Sequence, residues 1–166
     1  SADINVGYGL LPYWDIGLSL PYLLHQQSAK DGFRGQFAST GLTEIRFNTK
    51  LHLLGNEDGG LAAIASVNLN QIRDNPYTGK DAGPTFNAEL AADRKFGILA
   101  AALNFGYRWR DPGKPLSFEN TNDGSIYPIS PIQNQWIWSG ALSALIPDTD
   151  TKVIAEVFGA VPVKKS

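Results

Sequence analysis

Thr43-Glu44-Ile45-Arg46-Phe47-Asn48-Thr49-Lys50-Leu51-His52-Leu53 decides the fold. Ile45, Phe47, Thr49, Leu51 and Leu53 alternate with Glu44, Arg46, Asn48, Lys50 and His52, which is a period of two. A β-strand sends successive side chains to opposite faces, so this stretch becomes a strand with one greasy and one charged face. A helix of 3.6 residues per turn would mix the two sets around its circumference.

The same period recurs on both sides. Ile4, Val6, Tyr8 and Leu10 alternate with Asp3, Asn5, Gly7 and Gly9, and over residues 16–26 Ile16, Leu18, Leu20, Tyr22 and Leu24 alternate with Gly17, Ser19, Pro21, Leu23 and His25. Downstream, Leu61, Ala63, Ala65, Val67 and Leu69 alternate with Ala62, Ile64, Ser66, Asn68 and Asn70, and Phe86, Ala88, Leu90 and Ala92 with Thr85, Asn87, Glu89, Ala91 and Asp93. A sixth run sets Leu99, Ala101, Leu103, Phe105, Tyr107 and Trp109 against Ala100, Ala102, Asn104, Gly106, Arg108 and Arg110. Runs at 135–146 and 152–161 are less regular, with Ile137, Leu145, Ile154 and Phe158 on the polar side. Short connections at 11–15, 55–60, 94–97 and 147–150 alternate with long ones at 27–41, 74–83 and 111–134. Hairpins joined by long loops predict an all-β, antiparallel up-and-down barrel of eight visible strands.

Composition narrows the class. The 166 residues suit a single domain spanning 1–166, and 43% hydrophobic content excludes a disordered segment. A net charge of −2 offers no positive field for a phosphate backbone, so no nucleic-acid partner is expected. The absence of Cys excludes disulfides, thiolate metal sites and a cysteine nucleophile. Mean hydropathy is −0.17, and no apolar run is long enough for a membrane-spanning helix. The chain opens at Ser1-Ala2-Asp3 and contains no Met, which leads us to expect a processed or trimmed product, signal removal being one route.

Alternating strands suit either a soluble barrel with its apolar face inward or an outer-membrane barrel with that face on lipid. The polar face decides for the membrane. It mixes Gly7, Gly9, Gly17, Ala91, Ala100, Ala102 and Gly106 with charges of both signs, as a narrow ion-paired lumen requires and a solvated surface does not. The expected lumen-lining set is Glu44, Arg46, Lys50, His52, Glu89, Asp93, Arg108, Arg110 and Glu156. Tyr13 and Trp14 at one end of the strands, with Tyr22, Tyr107, Trp109, Trp136 and Trp138 towards the other, form two belts of interfacial aromatics.

The segments Val6-Gly7-Tyr8-Gly9-Leu10, Trp14-Asp15-Ile16-Gly17-Leu18-Ser19-Leu20-Pro21-Tyr22 and Gly41-Leu42-Thr43-Glu44-Ile45-Arg46-Phe47-Asn48-Thr49-Lys50 resemble the barrel region of OmpA-like and phenol-degradation meta-pathway outer-membrane proteins. Arg94-Lys95-Phe96-Gly97 and Leu103-Asn104-Phe105-Gly106-Tyr107-Arg108 follow the same pattern. The resemblance covers most of the first six strands and implies a Gram-negative outer-membrane barrel. Such barrels often accompany a periplasmic peptidoglycan-binding domain, which these residues do not include. Bacterial barrels keep their termini and short turns on one side, yet here the short turns lie opposite the termini. The expectation is therefore flanking strands, or closure by other chains, in a larger or composite barrel.

No residue set points to catalysis, a cofactor or a metal. His25 and His52 are the only histidines, and no third ligand converges by spacing. Ser19 and His25 lack a nucleophile-elbow sequence, and Gly7-Tyr8-Gly9 sits inside a strand rather than before a helix. The lumen charges either line a pore or pair and plug it. Ala63, Ala65, Ala88, Ala92 and Ala101 make the apolar face shallow, which favours a homo-oligomeric contact. The sequence thus leads to a non-enzymatic outer-membrane barrel with a structural or porin-like role, contacting membrane lipid or lipopolysaccharide. The alternative is a soluble β-barrel that binds a small apolar ligand, with a barrel enzyme third.

Overall fold

A computed structural model describes residues 1–25, 40–75, 77–119, 123–149 and 151–163. The elements are β1 (Ala2–Leu11), β2 (Trp14–Leu23), β3 (Gly41–Leu42), β4 (Glu44–Asn56), β5 (Gly59–Asn70), β6 (Asp74–Asn75), β7 (Gly79–Lys80), β8 (Thr85–Phe96), β9 (Leu99–Arg110), β10 (Leu116–Glu119), β11 (Ile126–Ile129), β12 (Gln135–Ile146) and β13 (Thr151–Pro162), with a 3-10 turn at Pro147–Thr149. The long strands form one antiparallel sheet in the order β1-β2-β4-β5-β8-β9-β12-β13, to which β3 adds beside β2. This sheet of eight strands curls strongly into a half-barrel.

The register keeps the alternation intact across the sheet. Phe47 faces Val67, Val67 faces Phe86, Phe86 faces Trp109, and Tyr107 faces Trp136, so the apolar sets share one side. Arg46 faces Asn68, Asn87 faces Arg108, and Arg108 faces Gln135 on the other. A slip of one residue would exchange the two faces completely. A bulge between His52 and Leu54 absorbs the consecutive leucines Leu53 and Leu54 near the turn.

The apolar side is the outer, exposed side. Leu103 is 68% exposed, Leu142 67% and Val157 58%. Among the described residues, the polar Ser19, Asn87 and Gln135 are more than nine-tenths buried, beside the apolar Ala62 and Ile137. Among the described residues, the sheet thus buries few apolar side chains of its own.

Two sequence expectations are corrected. The second strand ends at Leu23 rather than near residue 26, so His25 lies beyond it. The turn placed at 94–97 lies at Gly97-Ile98, because Arg94 and Lys95 continue the ladder opposite Ala101 and Ala100. Gly97 has φ +62°, which suits the first central position of a two-residue hairpin loop. Among the described residues the sheet is open, β1 and β13 each having one partner and not being paired with each other. The expected loop 27–41 falls mainly outside the described residues.

The two other long connections are not plain tethers. Residues 71–84 hold the β6-β7 hairpin and residues 111–134 the β10-β11 hairpin. They are tied together: Lys80 and Lys114 exchange N–H···O bonds of 2.8 and 3.0 Å, Gly113 N donates to Thr78 O, and Ile132 N to Tyr77 O. Gly79, at φ +90°, packs so closely that an added Cβ would lie 2.8 Å from the Gly113 carbonyl carbon. Gly79→Ala is therefore expected to unlock the pair, accelerating limited proteolysis within 71–84 severalfold while the strand signal in circular dichroism persists.

Candidate functional site: the polar inner face

The inner face bears a cavity of about 600 Å³ at the long-loop end of the strands. Its floor comes from β4, β5, β8 and β9 through Glu44, Arg46, Asn48, Ser66, Asn68, Thr85, Asn87, Glu89, Arg108 and Arg110. Its rim comes from the tied loops through Ile72, Thr78, Ala82, Gly83, Pro112 and Ile132. The alternation of each strand delivers one polar side chain per two residues, and the register stacks them into rows.

Hydrogen bonds organise these rows. Ser66 Oγ accepts from Asn87 Nδ2 at 2.8 Å, and Asn87 Oδ1 accepts from Arg108 Nε at 2.8 Å. Arg110 Nη2 donates to Gln135 Oε1 at 3.1 Å, while its backbone N–H donates to Asn134 Oδ1 at 2.8 Å. Arg46 Nε donates to Glu44 Oε1 at 2.7 Å, and the same carboxylate receives Arg46 Nη2. Glu89 lies across Gly106, where an added Cβ would sit 2.9 Å from Glu89 Cα. Outside the strands, Asp123 accepts from Ser125 Oγ and Ser125 N, and these bonds hold its exposed carboxyl below the ordinary aspartate range.

The expected lumen residues separate by height. Glu44, Arg46, Glu89, Arg108 and Arg110 come together in the main cavity. Lys50 lines a recess beside Asp15 and Gly17, and His52 and Asp93 line another at the short-turn end with Lys95. Glu156 sits on β13 opposite Ala141, exposed and apart from these cavities. His52 meets Asp15, at 3.1 Å between Nε2 and Oδ2, while Glu44 stands at the opposite end of β4. The Ser19 hydroxyl donates to Asp3 at 2.9 Å. Among the described residues, no group of three or more His, Cys, Asp or Glu could hold a metal ion.

Sequence reading missed Asp15, which it placed in a turn, and the amide set Asn68, Asn87 and Gln135. The signal was present in the asparagines at alternate positions, but an amide carries no charge to single it out as a lining residue.

The outer face carries the aromatics. Tyr107 packs edge-on against Trp136 at a 4.8 Å centroid distance and tilts against Trp109 at 4.8 Å, and Phe105 stacks on Trp136 at 5.4 Å. Trp138 covers Gly159 across the β12-β13 pair, and Tyr22 lies exposed near the same end of the strands. At the other end Trp14 Nε1 donates to Thr49 Oγ1 at 2.6 Å beside exposed Tyr13. Between the two sets runs a shallow apolar groove of about 490 Å³ containing Ala63, Ala65 and Ala88, with Leu51, Leu90, Phe105 and Trp136 around them. Ala92 and Ala101 lie outside it.

The chain matches no family model, no curated protein and no solved structure.

Proposed function

We propose that this chain forms the greater part of a transmembrane β-barrel wall in the outer membrane of a Gram-negative bacterium, non-enzymatic and porin-like, of the OmpA-like or meta-pathway kind it resembles. One observation carries the proposal: outside β13 most of the exposed large apolar side chains of the long strands lie on the outer face, while the buried polar Ser19, Asn87 and Gln135 lie on the inner one. Water would penalise that partition and lipid rewards it. Strands of ten to thirteen residues fit a tilted crossing of a hydrocarbon core roughly 30 Å thick. The aromatics at both strand ends fit its two interfaces. The cavity of about 600 Å³ on the inner face would suit a solvated passage once the wall is closed.

Among the described residues β1 and β13 each keep one edge unpaired, which fits the same proposal. Unpaired backbone groups cost several kcal/mol each in hydrocarbon, so further strands, from this chain or another, complete the wall. Lipid and lipopolysaccharide then cover the outer face, and the alanine groove is where a second copy approaches most closely. Crosslinking in mild detergent that returned only monomer would remove the oligomer from this picture.

The expected result of folding the full chain from urea in the presence of lipid vesicles is a product that stays with the vesicles after an alkaline wash and migrates differently on gels before and after heating. A soluble monomer without detergent or lipid would overturn the proposal in favour of the small-ligand barrel.

A further inference from the structure

Arg108 and Arg110 are neighbours on the inner face, about 6.7 Å apart along β9, and like charges so placed repel. The fold gives them amides as partners, Asn87 and Gln135. Among the described residues, neither guanidinium has a carboxylate oxygen within 4.0 Å. Glu44 is engaged by Arg46, Glu89 lies over Gly106, and Asp111 packs against Gly83. Among the described residues, Arg110 Nε is buried without a hydrogen-bond partner. A buried donor left unmet is costly, and a guanidinium fork is shaped to hold two oxygens of one carboxylate or phosphate.

We propose that Arg108 and Arg110 form an oxyanion site for a small, hydroxyl-rich organic acid that enters the lumen from the long-loop end. The guanidiniums take the acid group, and Ser66, Asn68 and Thr85 on the same floor face the hydroxylated body. The inference rests on the inner face being a solute-filled lumen, yet its test requires no membrane.

The full chain, folded in a non-ionic detergent, is titrated with gluconate while the arginine Nε–Hε resonances are followed by NMR. Saturable shifts confined to Arg108 and Arg110 are expected, with no response to sorbitol, the uncharged counterpart. Arg110→Gln and Arg108→Gln should each weaken binding at least about tenfold, whereas Arg94→Gln, on the outer face, should leave it unchanged. Circular dichroism establishes that each variant keeps its strands, and either arginine variant suffices if the other misfolds. Absence of saturation, equal affinity in a folded arginine variant, or equal shifts with chloride at matched ionic strength would overturn the site. Absence of binding by the parent chain with its vesicle insertion intact rejects this inference alone, and binding by a parent chain that does not insert rejects the barrel reading alone.

Discussion

Leu103→Arg is expected to reduce folding into lipid vesicles by roughly 30- to 700-fold in the equilibrium constant. Leu103 stands near the middle of β9 on the outer face and is 68% exposed. In water, replacing so exposed a side chain changes stability by about 0.5 kcal/mol or less. On the lipid face near the bilayer centre, arginine costs about 2–4 kcal/mol, and each 1.4 kcal/mol is a factor of ten. Asn104→Lys, one residue along and directed inward, is the matched control and should fold almost as well as the parent. Urea titrations in vesicles measure both. Equal, small effects for the two variants would mean that the outer face does not meet hydrocarbon.

Gly106→Ala is expected to destabilise the sheet by about 2–3 kcal/mol, the upper range for forcing atoms into a packed site. Gly106 is buried opposite Glu89 in the centre of the sheet. An alanine Cβ there would lie 2.9 Å from Glu89 Cα and still closer to the Ala88 carbonyl oxygen and Glu89 Cγ. The side-chain atom can swing away, but the backbone atoms are fixed by pairing with strands on both sides. Glu89→Ala in the same chain should therefore restore only part of the loss. Complete rescue would show that the crowding comes from the Glu89 side chain alone.

The sheet was legible in the sequence because a period of two survives averaging and fails only where one residue is added or a ladder ends. That is why the Leu53-Leu54 bulge and the end of β2 at Leu23 escaped notice. Arg94 and Lys95 read as a turn because charge clusters at turns, although only Gly97 supplies the positive φ that a hairpin loop needs. The charged half of the inner cavity was visible for the same reason as the sheet, since Glu44, Arg46, Glu89, Arg108 and Arg110 stand in phase. What no single strand could disclose was height and partnership. His52 and Glu44 share a face but occupy opposite ends of β4, and His52 finds Asp15 across the β2-β4 pair. The joining of residues 71–84 to 111–134 depends on Gly79 and Gly113 meeting at close range, a contact between segments far apart in sequence.

The alternation of direction along β1-β2-β4-β5-β8-β9-β12-β13 would also constrain whatever completes the proposed barrel. With eight members, β1 and β13 point in opposite directions, as adjacent staves of an antiparallel ring do. Any closure that keeps every neighbour antiparallel must insert an even number of strands between them, whether from this chain or another. An odd number would force one parallel seam, which a two-residue hairpin cannot join. In a barrel closed as proposed, the strands described would therefore already set the parity of the ring.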